Sequence, residues 1–238
     1  MSNKPFKFTQ FIIEQDNCAM KIGTDAVLLG AWSSKNSNPF SVLDIGAGTG
    51  VIALMLAQNS SAEIIDAIEI DENAYEQCVS NFENSIWNDR LFCYHASLEE
   101  FVSEIDDKYD LIVSNPPFYK EDYKSENQQR DVARFEDALP FNHLIESVSK
   151  LLSKEGVFHV IIPYKESEKF IELSKIEKLF PSKLLHIKGS PESEIKRSII
   201  EFSFKEKNVV LNELIIETSR HNYTKDYIAL TKDFYLKM

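Results

Sequence analysis

The residues Asn115-Pro116-Pro117-Phe118 form a motif suited to chemistry on a planar amino group. Two prolines restrict the backbone and remove two N–H donors, so neighbouring carbonyl groups can face a ligand. The side-chain oxygen of Asn115 and the carbonyl of Pro116 would accept both hydrogens of an exocyclic amine and favour a nitrogen whose lone pair is free, with Pro117 beside the substrate. Phe118 would offer a face on which a flipped base stacks. The alternative is a structural Pro-Pro loop with a Phe in the core.

A glycine turn, Asp44-Ile45-Gly46-Ala47-Gly48-Thr49-Gly50, joins a strand-like apolar run to a helix-like one. Glycines at alternate positions let the backbone approach a ligand where any Cβ would collide. A dinucleotide fingerprint places its third glycine three residues after the second, and Val51 holds that position here. Asp44 would repel a pyrophosphate but suits the ammonium group of S-adenosylmethionine. The turn therefore predicts S-adenosylmethionine contacts at Asp44, Gly46, Gly48 and Gly50.

The next apolar run, residues 64–69, predicts a second strand that ends in Glu69. An acid at this position can accept hydrogen bonds from both ribose hydroxyls of a nucleoside cofactor. A glycine-rich turn alone is weak support for a cofactor site, because such turns also occur for purely structural reasons. Strand, turn, helix and terminal acid in succession make the cofactor prediction much more specific.

The region before the glycine turn combines an aromatic segment at 6–13 with an apolar run that begins at Ala26. Thr24 or Asp25 is predicted to cap the helix formed by that run. A cofactor role for Thr24 is equally compatible with the pattern, because a helix start just before the first core strand can cover the methionine end of the cofactor.

Composition predicts one domain in a reducing compartment. The chain has 238 residues, 43% of them hydrophobic, which is enough to bury a large single core. Its three cysteines lack metal-ligand spacing, the histidines show no ligand pattern, and no metal is expected. The N-terminus lacks a signal-peptide core and no apolar run approaches a membrane span, so we expect a cytoplasmic protein without a membrane role.

The charge distribution is uneven along the chain. The net charge is −12, and residues 1–118 hold all of the excess, with 6 basic and 18 acidic side chains. An acidic protein is at first sight a poor partner for a polyanion. The balanced second half nevertheless contains basic clusters, and residues 119–134 are long for a connection, so this segment can be a substrate loop. Its candidate substrate contacts are Lys120, Arg130 and Arg134; an ordinary solvated face is equally compatible.

Apolar patterns continue to alternate between strand-like and helix-like after Glu69. The predicted helices cover 71–85, 97–105, 139–152 and 165–179, and the further strands cover 91–94, 109–114, 156–162, 183–187 and 198–204. Seven strands alternating with helices predict an α/β fold with a doubly wound sheet. Ligands are expected at the carboxyl ends of the strands near the topological switch point.

These motifs resemble those of the class I S-adenosylmethionine-dependent methyltransferases that act on exocyclic amines. Further stretches resemble the bacterial tRNA(Val) adenine-N6 methyltransferase family over essentially the whole chain. They are the aromatic spacing at 6–11, the motif at 20–32, the pair Ile86-Trp87 and the tail at 223–236.

The resemblance implies methylation of N6 of the adenine at position 37, just 3′ of the anticodon, by direct in-line transfer and without an obligate protein partner. It also implies a Rossmann-like, doubly wound, seven-stranded and mostly parallel sheet with one antiparallel strand. The expected single methyltransferase domain divides into an N-terminal extension over the cofactor at 1–39, a Rossmann-like core at 40–205 and a C-terminal tail at 206–238.

One position departs from the pattern of related enzymes. The residue after the third strand is often acidic there and holds the cofactor's adenine amine, whereas this chain has Tyr94-His95-Ala96-Ser97. Ser97 is the predicted cofactor contact, but it is equally suited to cap the next helix. His95 is unattractive as a base, because the methylated aminium loses its proton to water readily.

Two other functions remain compatible with the same motifs. The turn and the Asn-Pro-Pro-Phe motif would also serve a methyltransferase that acts on guanine N2 of ribosomal RNA or on protein glutamine, and the acidic first half favours a substrate other than nucleic acid. The chain could also be a cofactor-binding interaction module without catalysis. The aromatic segment at 6–13 and the motif at 223–236 favour the tRNA methyltransferase.

Overall fold

A computed structural model of the chain describes residues 4–117 and 139–237. The strands of this part are β1 Phe6–Lys7, β2 Ile12–Ile13, β3 Ser41–Ile45, β4 Ile64–Glu69, β5 Leu91–His95, β6 Tyr109–Ser114, β7 Leu152–Pro163, β8 Phe180–Lys188, β9 Ile195–Ser203, β10 Val210–Ile215, β11 Glu217–Ser219 and β12 Asn222–Tyr223. The α-helices are α1 Thr24–Asn36, α2 Val51–Asn59, α3 Glu72–Glu83, α4 Leu98–Glu104, α5 Phe141–Leu151, α6 Ser167–Ile176 and α7 Lys225–Thr231.

Eight strands form the central sheet in the order β10-β8-β9-β7-β6-β3-β4-β5. β9 runs antiparallel to both of its neighbours, and every other pairing in the sheet is parallel. The carboxyl ends of all the strands except β9 therefore lie at one edge. This confirms the predicted doubly wound, mostly parallel fold with one antiparallel strand. The sheet has one strand more than predicted, because β10 forms within the segment expected to be a tail.

The sheet is buried on both faces. Along β3, Val42 faces the cluster formed with α1, α2 and α3, while Leu43 faces the cluster formed with α4, α5 and α6. The same alternation occurs along β6, where Leu111 and Ile112 lie on opposite faces. Helices on both faces explain why these strands are apolar runs rather than alternating ones.

The start of α1 differs from the prediction. Gly23 is the N-cap residue, and no side chain caps the helix. The carboxylate of Asp25 instead accepts a hydrogen bond from Nε of Arg197 on β9 at 2.7 Å. The predicted capping by Thr24 or Asp25 is therefore wrong, because an ion pair with a residue far along the chain engages the Asp25 side chain.

A buried polar chain also ties α1 to the sheet. His159 Nδ1 lies 2.9 Å from Oγ of Ser33 on α1, and its Nε2 lies 3.1 Å from the carboxylate of Glu201 on β9. Burial lowers the pKa of His159 and outweighs the effect of Glu201. The imidazole is therefore neutral, donating to Glu201 from Nε2 and accepting from Ser33 at Nδ1. These contacts hold the C-terminal half of α1 against β7 and β9.

The two ends of the chain meet on the α1 face. β1 and β2, within the aromatic segment at 6–13, form a short antiparallel hairpin. Phe8 forms a β-bridge with Tyr235, and the amide of Thr9 donates to the carbonyl of Phe234 at 2.9 Å.

None of the helices in the described ranges is long and apolar enough to cross a membrane.

Candidate cofactor and substrate site

The glycine turn connects β3 to α2 in a backbone conformation that favours glycine. Gly46, Gly48 and Gly50 have φ values of 74°, 56° and 76°, all in the left-handed region. The amides of Gly46 and Ala47 donate to the carbonyl of Ile68 at the end of β4, at 3.0 and 3.1 Å. The turn is therefore held against the neighbouring strand, where Glu69 follows.

The glycines differ in what surrounds them. A Cβ on Gly50 would lie 2.5 Å from Cε1 of Phe82 and 2.8 Å from Sγ of Cys78, both on α3. A Cβ on Gly46 or Gly48 would meet nothing within 4 Å. Gly50 is therefore required for packing against α3, whereas Gly46 and Gly48 leave open space in which a ligand can approach the backbone.

This difference predicts separate effects for two alanine substitutions. Gly50→Ala combines left-handed strain of roughly 1–2 kcal/mol with overpacking against Phe82 of about 1–3 kcal/mol, so its melting temperature should fall by about 10 °C. Gly48→Ala carries only the strain, and its melting temperature should fall by about 2–8 °C. Calorimetry of the two variants checks the order, and equal losses of stability would contradict the assigned roles.

Asp44 is a buried carboxylate with one unused acceptor. Its Oδ2 accepts a hydrogen bond from the amide of Ala53 on α2 at 3.2 Å, and within the described residues its Oδ1 has no partner. Burial raises the pKa of Asp44 to about 7, the Ala53 amide opposes that shift, and the nearby charge of Glu69 adds to it. A buried acceptor of this kind is completed by a cationic donor.

Glu69 holds the turn from the end of β4. Its Oε2 accepts from the amide of Gly48 at 2.8 Å, and its Oε1 accepts from the amides of Ile70 and Asp71 at 2.9 and 3.0 Å. Each carboxylate oxygen has more than one acceptor direction, so the side chain can also receive hydrogen bonds from a ligand. Glu69 is half-buried.

Two buried amides on α3 connect the glycine turn to residues 14–22, here called the N-terminal segment. Asn81 donates to the carbonyls of Thr49 and Glu14 at 2.9 and 3.0 Å, and its oxygen accepts from the Glu14 amide at 2.9 Å. One turn earlier, Gln77 accepts from the Asn17 amide at 3.2 Å. Sequence reasoning missed both residues, because Asn and Gln on a helix usually face solvent.

The N-terminal segment lies close to Glu69. The thiol of Cys18 is buried. Its pKa is raised to about 11, chiefly by desolvation and next by the nearby charge of Glu69. Thr24, a predicted cofactor contact, is exposed at the first position of α1, just beyond this segment. The structure thus brings the N-terminal segment to the glycine turn and Glu69.

The end of β6 places the Asn-Pro-Pro residues beside the glycine turn. Ser114 pairs with Ile45 in the parallel ladder, and its hydroxyl donates to the Ile45 carbonyl at 3.0 Å. Asn115 and Pro117 are half-buried and Pro116 is buried. The adjoining strand ends therefore bring Asn115 next to Gly46. The other predicted substrate contacts, Phe118, Lys120, Arg130 and Arg134, lie outside the described residues.

The residues after β5 are arranged around the start of α4. The Ser97 hydroxyl donates to the Glu100 carboxylate at 2.8 Å and accepts from the Glu100 amide at 3.2 Å, so Ser97 is the N-cap of a capping box. Its contact with a cofactor stays a prediction. Nε2 of His95 lies 3.0 Å from the Ile70 carbonyl, and its ring stacks on Tyr75. Across the described ranges, no group of three or more His, Cys, Asp or Glu side chains could hold a metal ion.

Solved structures with a similar architecture identify the fold class of this chain. A predicted O-methyltransferase from Agrobacterium tumefaciens superimposes with a TM-score of 0.67 at 18% identity, covering 88% of this chain and 96% of its own. M. jannaschii TYW2 in complex with AdoMet superimposes with a TM-score of 0.57 at 14% identity, covering 83% and 84%. The fold is that of the class I methyltransferases.

Sequence comparisons identify the protein family within this fold class. The family model "Methyltransferase small domain" matches residues 20–178. A Flavobacterium psychrophilum protein named tRNA1(Val) (adenine(37)-N6)-methyltransferase is 62% identical over 98% of this chain and 100% of its own length. Proteins of the same name from Christiangramia forsetii and Bacteroides fragilis are 59% and 42% identical over the full length of both chains. The chain belongs to the tRNA1(Val) (adenine(37)-N6)-methyltransferase family.

Proposed function

We propose that this protein transfers the methyl group of S-adenosylmethionine to N6 of adenine 37 in tRNA1(Val). The observation that carries the proposal is the pairing of Ile45 with Ser114, which places the glycine turn and Asn115 at adjoining strand ends. A methyl donor on the turn and an amine held by Asn115 would then be neighbours. The names of the full-length relatives support the tRNA substrate rather than ribosomal RNA or a protein glutamine.

The residues of the glycine turn fit S-adenosylmethionine. The buried Asp44 Oδ1 lacks a partner in the described structure, and the cofactor has an ammonium group that can supply one. The open space at Gly46 and Gly48 admits a ligand close to the backbone. We assign Glu69 to the ribose hydroxyls. Gly50 supports the turn and, with Thr24 and Ser97, is proposed as a further cofactor contact.

The chemistry assigned to this chain's residues is positioning of an amine. S-adenosylmethionine, when bound, supplies an electrophilic methyl group. The side-chain oxygen of Asn115 and the carbonyl of Pro116 accept the two N6 hydrogens, which weakens conjugation of the nitrogen with the adenine ring and frees its lone pair. Holding the reacting groups in this way can contribute up to roughly 7–11 kcal/mol in well-oriented cases. The excess proton leaves to water, so no tuned base is needed.

The remaining assignments concern the substrate and the organisation of the chain. Pro117 and Phe118 would contact the flipped adenine, while Lys120, Arg130 and Arg134 would contact the RNA. In the proposed single domain, residues 1–39 cover the cofactor, 40–205 form the core and 206–238 form the tail. The contacts of Asn81 and Gln77 support the covering role. The thiols Cys18, Cys78 and Cys93 are free, as expected of a cytoplasmic enzyme of tRNA modification.

Cofactor affinity should depend on pH through Asp44. The pKa of its carboxyl is raised to about 7, so protonation of Asp44 stabilises the unliganded fold. This contribution to the free energy of unfolding is fully present below about pH 4 and is lost as the pH rises through 7. The ammonium of the cofactor binds the ionised form, so affinity should rise by about eightfold between pH 5.5 and 6.5 and level off above pH 7. Calorimetric titration should find little of this rise in Asp44→Asn, and an unchanged rise would contradict the assignment.

A transfer assay tests the function itself. The purified protein is incubated with labelled S-adenosylmethionine and an unmodified tRNA1(Val) transcript, with a second transcript carrying guanine at position 37 as the matched control. We expect label in the first transcript and none in the second. Equal labelling of the two transcripts would overturn the assignment of position 37, and label in neither would overturn the tRNA methyltransferase itself.

A further inference from the structure

A cavity of about 410 Å³ lies between the two ends of the chain, apart from the glycine turn. Much of its wall is aromatic, with Phe6 from the N-terminal hairpin and Tyr223, Tyr227 and Tyr235 from the C-terminal region. The proposed methyl transfer uses none of these rings. The volume falls within the range of small-ligand sites, roughly 300–1,000 Å³.

The cavity lies toward the carboxyl edge of the sheet, on which the cofactor turn also lies. Ile216, which follows β10, lines it, and β10 runs in the same direction as β3 and β6. Thr24, at the start of α1 and proposed above as a cofactor contact, lines it as well, so the cavity adjoins the proposed cofactor site. β10 and β6 are four strand spacings apart, or about 19 Å at roughly 4.8 Å per spacing. A ligand in this cavity is therefore separate from the amine beside Asn115, yet within reach of the same macromolecule.

The aromatic wall has a fixed inner part and an accessible outer ring. Tyr227 is 4% exposed, and its hydroxyl lies near that of Tyr235. Phe6 packs edge-on against Tyr235 with ring centroids 6.1 Å apart. Tyr223 is 39% exposed, and its ring lies 5.1 Å from that of Tyr227 at an angle of 33°. Tyr223 is thus supported from behind while part of it remains available for contact.

We propose that this cavity binds an unpaired base of the tRNA substrate, other than the methylated adenine, by stacking on Tyr223. The inference rests on the proposed function, which supplies a single-stranded RNA loop. Aromatic side chains stack on bases of any sequence, and the nearby Glu217 and Lys237 can bind a base amino group and a phosphate.

The charge of the protein gives this stacking particular weight. With a net charge of −12, the chain cannot draw most of its RNA affinity from overall attraction to phosphate. Stacking contributes about 1–3 kcal/mol per base and does not require a positive surface. An aromatic site near the sheet edge that carries the cofactor therefore offers an acidic enzyme a source of affinity for RNA.

The test measures tRNA binding by the full chain with S-adenosylhomocysteine present, using an unmodified tRNA1(Val) transcript. Tyr223→Ala should raise the Kd by between about fivefold and 150-fold, the loss of one stacked base. The KM for tRNA should rise with it, while kcat at saturating tRNA and cofactor affinity stay unchanged. Tyr223→Phe keeps the ring and should bind normally. The control is Phe40→Ala, which removes an aromatic ring that is 55% exposed next to the amino end of β3.

Each outcome decides the inference. The base-binding cavity is overturned if Tyr223→Ala binds tRNA as tightly as the wild-type protein, or no more weakly than Phe40→Ala. If the wild-type protein still methylates tRNA, the proposed function is unaffected by that result. An unmodified protein that transfers no methyl group to tRNA overturns the proposed function and this inference together. Should Tyr223→Ala unfold, Tyr223→Trp decides: its added fluorescence is quenched by the anticodon stem-loop if a base stacks there, and is unaffected otherwise.

Discussion

Asn115→Ala is expected to reduce kcat by about 10²–10³-fold, the usual effect of removing one positioned hydrogen-bonding group from a transition state. The side chain follows β6 directly, beside the glycine turn, and its proposed role is to accept a hydrogen from the reacting amine. The variant should bind S-adenosylmethionine within about twofold of the unmodified protein, because the proposed cofactor contacts do not include Asn115. Single-turnover kinetics and calorimetric titration measure the two quantities separately.

Asn115→Asp is the matched variant for this prediction. A carboxylate keeps oxygen acceptors at the same position, so Asn115→Asp should retain more activity than Asn115→Ala if acceptance is what matters. Near-normal turnover in Asn115→Ala would contradict the assigned role. So would a loss of turnover that is accompanied by loss of cofactor binding or by unfolding, because the residue would then be structural.

Glu69→Gln is expected to weaken S-adenosylmethionine binding by about a hundredfold. The carboxylate accepts three backbone N–H groups, from Gly48, Ile70 and Asp71. The amide of Gln has only one acceptor oxygen, so its NH₂ group must face at least one of these backbone N–H donors. An acceptor for the ribose hydroxyls is lost as well. Each charge-assisted hydrogen bond removed costs about 1.5–3 kcal/mol, so losing one or two of them accounts for the expected change.

The control for Glu69→Gln is Glu72→Gln, which makes the same chemical change on an exposed side chain at the start of α3. Because both substitutions remove one negative charge from the same region, a purely electrostatic effect would appear in both. We expect titration calorimetry to find cofactor affinity unchanged in Glu72→Gln. Similar losses in the two variants would show that Glu69 acts through charge alone, contrary to its assigned hydrogen bonds.

The core strands could be predicted from the sequence because burial on both faces leaves a clear pattern. The predicted strands 64–69 and 109–114 have the observed bounds. The glycine turn was equally recognisable, since the positive φ values of Gly46, Gly48 and Gly50 favour a residue type that is visible in the sequence. Parallel topology then brings the ends of β3, β4 and β6 together. The grouping of Asp44, Glu69 and Asn115 at one edge therefore followed from local pattern together with the parallel topology.

Features that depend on distant partners could not be predicted. Asp25 was expected to cap a helix, but its carboxylate pairs with Arg197, which lies 172 positions further along the chain. β10 was missed because most of its side chains are exposed and only Leu214 is buried, as is usual for an edge strand. The buried amides of α3 were missed because Gln and Asn on a helix usually face solvent.

The central claim is that Asn115 presents N6 of adenine 37 to the methyl donor. The most direct measurement is nuclease digestion of tRNA1(Val) after incubation with S-adenosylmethionine and the purified protein, followed by mass spectrometry of the fragment that contains position 37. The account predicts N6-methyladenosine at that position with the unmodified protein and almost none with Asn115→Ala. A methyl group on another atom or another nucleotide, or equal modification by the two proteins, would contradict it.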